Sequence, residues 1–144
     1  MIDNNLFYAC SLIEYIGREK KQRRGVVVSM LGSEAVHRIY EFADVLHSDP
    51  IEHVATVYSE MAAIPEGSFD NVKSCNYTVP TYWDIGKVFA RLIEDVCSDD
   101  HASGIEIVYS SWITDEISNF NSDLFYQNRE YLKVCYQEGE IVYQ

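Results

Sequence analysis

Between Thr81 and Val96 two apolar series run side by side at helical spacing: Trp83, Val88, Leu92 and Val96, and Ile85, Phe89 and Ile93. Residues three or four apart share one face of an α-helix. One such stripe suits a helix with a wet side, whereas two adjacent stripes demand burial on more than one side. A strand of this length would alternate with period two, and this segment does not. It therefore predicts a helix at the centre of an all-α bundle. Thr81, with Asp84 three residues on, is a capping-box start for it.

The rest of the chain reads as helices of the same kind. Asn4 and Asn5, with Asp3 before them, offer caps for a helix over about 5–17, with Leu6, Cys10, Ile13 and Ile16 on one face and Gly17 ending or bending it. Val26, Val27 and Val28 fit a helix or a short strand, since β-branched runs favour extended backbone. Gly32 followed by Ser33 reads as a stop and a new cap, opening a helix over about 34–47. Asp49-Pro50-Ile51-Glu52 starts another, with Ile51, Val54, Ala55, Tyr58, Met61 and Ala62 inward, running to about Ile64 before Pro65 and Gly67. Residues 65–80 form the one long irregular stretch, an ordered loop with Phe69 and Tyr77 to pin it. Helices over about 104–119 and 123–138 follow, the first carrying Ile105, Val108, Trp112, Ile113 and Ile117, the last broken near Asn128 and closed by Gly139. The tail at 140–143 is frayed or a short strand. The expectation is one domain over 1–144, a bundle of five to seven helices.

With 144 residues, 47% of them hydrophobic, the chain is long and apolar enough for one core. It has no apolar run of membrane-spanning length, and its first residues lack the positive charge of a signal peptide, so a cytoplasmic protein is expected. The cysteines at 10, 75, 97 and 135 form no CxxC pair. Cys10, Cys97 and Cys135 sit among apolar neighbours and read as buried, reduced thiols.

Charge is the most uneven property. The net charge is −12, yet five of eleven basic residues crowd into Arg18, Lys20, Lys21, Arg23 and Arg24. Two spans hold acids and no Lys or Arg. Residues 39–72 carry Glu41, Asp44, Asp49, Glu52, Glu60, Glu66 and Asp70; residues 92–128 carry Glu94, Asp95, Asp99, Asp100, Glu106, Asp115, Glu116 and Asp123. Such a surface attracts basic proteins and repels nucleic acid. Glu94 and Asp95 lie at the C-terminal end of their helix, against its dipole, which suggests that the charge is wanted for something else.

Four constellations invite chemistry. His37, Glu41, Asp44 and His47 share a helix face, with His53 or Glu60 as further donors, but four ligands strung along one helix do not converge on one ion. Cys75, near Lys73, would need His101 or His53 as a base to act as a nucleophile. Glu94-Asp95 and Asp99-Asp100 resemble paired carboxylates, yet adjacent helical residues point about 100° apart. The run Arg18–Arg24, with Gly32 beyond it, has the spacing of a helix-turn-helix over 18–47, although a DNA reader is normally basic. There is no phosphate-binding glycine loop and no nucleophile-elbow pattern. Asn76-Tyr77-Thr78 fits a glycosylation acceptor, which a cytoplasmic chain would not use.

LFYACSLIEYIGR (6–18), YEFADVLHSDPIEHVA (40–55) and PTYWDIGKVFARLI (80–93) resemble a family of small acidic helical proteins carried on mobile elements of gut Gram-positive bacteria. The resemblance carries no catalytic motif and transfers no site residue. It implies a setting in which small acidic proteins neutralise a toxin or a host defence nuclease. The reading is thus a non-catalytic protein-binding module: an inhibitor, antitoxin or anti-defence factor for a basic partner. Glu94, Asp95, Asp99, Asp100, Glu106, Asp115 and Glu116 would supply the surface, with no cofactor or metal. A homodimer is compatible with the sequence. The rivals are a DNA-binding regulator using 18–47 and a metal-dependent enzyme using His37, Glu41, Asp44, His47 and His53.

Overall fold

The computed structural model describes residues 3–143, and among these it is all-α with no strand. Eight helices follow in order: α1 Asn4–Lys20, α2 Arg24–Glu41, α3 Ala43–Leu46, α4 Ile51–Met61, α5 Tyr82–Val96, α6 His101–Tyr109, α7 Ile113–Ile117 and α8 Arg129–Glu138, with a 3₁₀ turn at Leu124–Tyr126. The count exceeds the expected five to seven by one: two expected helices are each divided, but the first part of 34–47 joins the segment of the three valines in α2. Residues 34–47 belong partly to α2 and partly to α3, and 104–119 breaks after Tyr109. The three valines are helical, and residues 140–143 form no strand.

The hub is α1, not α5. It packs against α2, α3, α4, α5 and α6, and its buried residues cover nearly the whole circumference: Leu6, Tyr8 to Glu14, Ile16 and Gly17. Neither sequence stripe of α5 is wrong, but they are unequal. Ile85, Phe89, Leu92 and Ile93 are buried, while Trp83, Val88 and Val96 are only half-buried. Phe89 stacks on Tyr109 of α6 with ring centroids 4.4 Å apart. Trp83 packs edge-on against Phe7 at 5.6 Å.

Local signals set most boundaries. Asp3 caps α1 by accepting from the backbone N–H groups of Asn5 and Leu6. The Thr81–Asp84 capping box is present in both directions at 3.0 Å. Gly32, at φ 82°, breaks α2 as a stop should, and Gly139, at φ 78°, ends α8. Asn128 caps α8 through Tyr131 N–H. Other expectations need correction. α1 runs through Gly17, and α4 ends at Met61, three residues early, with Ala63 left-handed. Pro50 occupies the cap position of α4 without a side-chain cap, while Asp49 pairs with His53. Met61, Trp112 and Tyr77 are exposed, and Cys97 is half-buried, whereas Cys10 and Cys135 are buried.

Candidate functional site

The turn from α1 to α2 shows where the basic residues go. Lys21 adopts a left-handed conformation, the chain reverses, and Arg24 folds back over α1. Its side chain is 0% exposed and that of Glu14 is 1% exposed. Arg24 Nε and Nη2 donate to the two Glu14 oxygens at 2.8 and 2.9 Å. Nη2 also donates to Asn71 Oδ1 at 2.9 Å, and Nη1 to the Gln22 carbonyl at 2.7 Å. Arg18 gives Glu14 a further bond at 2.8 Å and reaches the Pro80 carbonyl at 2.7 Å. Gly17 is what makes room: a Cβ there would overlap the Arg24 side chain. Asn71 completes the cluster by donating to the Ser118 carbonyl.

Two of the three other cations of the turn are also engaged, while the Lys20 side chain makes no ion pair among the described residues. Arg23 lies over Phe69 at 4.6 Å and pairs with Asp115 at 3.3 Å, and Lys21 pairs with Glu66 at 3.1 Å. The loop at 65–80 is stitched to this turn, Gly67 and Phe69 donating to the Lys20 and Lys21 carbonyls. A helix-turn-helix surface over 18–47 would therefore lack Arg18 and Arg24, its most enclosed cations.

The acids singled out from the sequence are dispersed among separate partners. Glu94 is only 13% exposed, accepts from Asp3 N–H at 3.1 Å and lies 3.8 Å from Arg129. Asp95 holds Arg129 in a fork at 2.8 and 3.0 Å. That hydrogen bonding raises the Arg129 pKa. Neither acid belongs to an exposed helix end. Asp100 caps α6 through Ser103, whose backbone and hydroxyl bonds hold its carboxyl below the usual range. Glu106 accepts from Ser33 Oγ at 2.6 Å and lies 3.7 Å from His37. Asp115 is the partner of Arg23. Asp99 and Glu116 are exposed.

The span 39–72 is different. Glu41, Asp44, Glu52 and Glu60 are exposed and make no ion pair among the described residues. Beside them in sequence stand four exposed apolar side chains, Phe42, Val45 (64%), Val57 and Met61 (67%). Val57 and Met61, four apart on α4, share a face, while Phe42 stands at the non-helical junction between α2 and α3, ahead of Val45. A shallow groove of about 250 Å³ between the second arm of α2 and α4, floored by Leu31, Ala35, Tyr58 and Ala62, adjoins Met61. The sequence signal for these residues is the lack of Lys and Arg, with Phe42, Val45 and Val57 outside the inward stripes; Met61, expected inward, is exposed.

The catalytic constellations are not assembled. Among the described residues no three His, Cys, Asp or Glu side chains gather as metal ligands would. His37 turns to Glu106, His47 lies edge-on to Tyr8 at 6.0 Å, and His53 pairs with Asp49. Cys75 bonds the Tyr77 carbonyl, while His101 is held by Asp3 at 2.8 Å. Asp3 also receives the Tyr40 hydroxyl at 2.5 Å. Burial opposes ionisation of Asp3, but the bonds from His101, Tyr40 and Leu6 N–H prevail and hold its carboxyl below the ordinary value. Burial pushes the Cys10 thiol up to about 12 and leaves it inert. A cleft of about 830 Å³ opens between the loop at 78–81, α5 and the start of α8.

Comparison with known proteins gives no match to a family model, to a curated protein or to a solved structure.

Proposed function

We propose that the chain is a non-catalytic binding protein that captures a basic partner protein through the face carried by the end of α2, α3 and α4. The supporting observation is the coincidence there of unpaired Glu41, Asp44, Glu52 and Glu60 with exposed Phe42, Val45, Val57 and Met61. Interfaces combine apolar anchors with a charged rim, and charge complementarity accelerates encounter and excludes wrong partners. The role is that of an inhibitor, antitoxin or anti-defence factor, in keeping with the resemblance to mobile-element proteins. The acids of 94–116 are secondary in this reading, because most of them already serve partners within the fold.

The test is capture with a tagged chain, followed by association kinetics with the captured protein. Charge reversal at Glu41, Asp44, Glu52 and Glu60 should slow association by about tenfold or more at low salt, with little change in dissociation. Reversal at Asp99 and Glu116 should have a smaller effect. A partner that is itself acidic, or one whose association ignores the quadruple reversal, would sink the proposal.

A further inference from the structure

The geometry points to a second binding site, for a small aromatic anion, in the cleft between the loop at 78–81, α5 and α8. Its volume, about 830 Å³, lies in the range of roughly 300–1,000 Å³ typical of small-molecule sites. Val79, Pro80, Val88, Leu92, Phe125 and Leu132 supply an apolar wall long enough for a fused or linked ring system. Tyr126 packs against Phe125 at 4.2 Å between centroids yet is largely exposed, so its ring is available to a ligand at the mouth.

The polar lining is less acidic than the molecule as a whole. Over the chain acids outnumber Lys and Arg by 23 to 11, but the cleft is lined by two cations, Arg91 and Arg129, and one carboxylate, Asp84. That carboxylate is committed to the Thr81 backbone N–H in the capping box. Arg129 is fixed by its fork to Asp95 and by a bond to the Arg91 carbonyl at 3.5 Å. Arg91 pairs with no carboxylate among the described residues, which sets it apart from Arg18, Arg23, Arg24, Arg38 and Arg129. An unpaired guanidinium beside an apolar wall selects a carboxylate, sulfonate or phosphate joined to an apolar ring, bound by a charge-assisted fork. The opening turn of α8 borders the same space and adds its positive dipole end.

The probe is 1-anilinonaphthalene-8-sulfonate, titrated into the folded chain and followed by dye fluorescence. Saturable one-site binding is expected, at least about fivefold weaker in Arg91→Gln, because a charged hydrogen bond is lost. Lys73→Gln removes the same charge from an exposed position outside the cleft and should bind as the wild type does. The neutral analogue N-phenyl-1-naphthylamine should bind more weakly than the sulfonate. On the unaltered protein, intermolecular NOEs from the dye rings should reach Val88, Leu92 and Tyr126, a readout independent of how any variant folds. Non-saturable binding, NOEs elsewhere, or equal affinities for Arg91→Gln and Lys73→Gln would each overturn the assignment.

Discussion

The turn at 18–24 and the span at 39–72 are both dense in charge, and the fold treats them in opposite ways. In the turn, Arg24 is drawn into the core onto Glu14 and Asn71, Arg18 follows it, and Arg23 and Lys21 find acids of their own. In the span, four acids stay in water without a cation, alongside apolar side chains that also stay out. A run of like charge in a sequence is thus no guide to surface. What matters is whether other elements bring countercharges to it: Glu14, Glu66 and Asp115 reach the turn, whereas among the described residues no Lys or Arg reaches Glu41, Asp44, Glu52 or Glu60.

The largest effect that would sharpen this contrast comes from two neighbours in sequence. Arg24→Ala or Glu14→Gln should cost about 3–5 kcal/mol, since either leaves a buried charge without its partner. Arg23→Ala should cost less than about 1 kcal/mol, because its pairing with Asp115 is exposed and solvent-screened. Urea unfolding near neutral pH measures both. Equal costs would break the comparison at its root.

Gly17→Ala comes next and carries a sign. If Gly17 merely interrupted α1, alanine would stabilise the helix by about 1 kcal/mol. Because a Cβ there meets the Arg24 side chain, the same change should destabilise by about 1–3 kcal/mol instead. A rise in melting temperature would show that Arg24 is not seated as described.

These two variants also mark the limit of what the sequence makes legible. Caps and stops are local, so the Thr81–Asp84 box, the break at Asn128 and the stop at Gly139 could be read directly. Gly17 could not, because the reason for it is a side chain seven residues away that returns only after the chain reverses. The centrality of α1 was hidden likewise: Ser11 and Glu14 look like a polar side, and burial of Glu14 depends on Arg24, Arg18 and Asn71 from elsewhere. For the candidate surface, both acid-only spans were visible as composition. Choosing between them required knowing that Arg129, Arg23 and Ser33 come to rest against Asp95, Asp115 and Glu106.

A smaller effect should appear in acid. In the unfolded chain Asp3 titrates near the ordinary value of 3.8, and in the fold its carboxyl lies lower. The ionised form is therefore the one the fold favours. Its contribution is present above pH 3.8 and is lost as pH falls through the depressed folded value. Asp3→Asn should flatten the stability slope in that acid window and lower stability modestly at neutral pH. A slope identical to the wild type would remove His101 and Tyr40 as partners of an ionised Asp3.

The smallest expected effect probes the span itself through salt. Raising ionic strength from about 0.01 M to about 0.1 M shortens the Debye length from about 30 Å to about 10 Å. The Glu14–Arg24 pair is fully enclosed and should not respond. The unpaired acids of α2, α3 and α4 should respond, since their mutual repulsion in a chain of net charge −12 is screened. The wild-type melting temperature should therefore rise slightly with salt. Reversing Glu41, Asp44, Glu52 and Glu60 should raise it at low salt by a similar small amount, within about 0.5 kcal/mol, and leave less for salt to relieve. Arg24→Ala should keep its full deficit at both ionic strengths. Were salt to lower the melting temperature of the wild type, exposed ion pairs such as Arg38–Glu34 would outweigh repulsion. The acids of 39–72 would then not be the open, uncompensated face that partner binding requires.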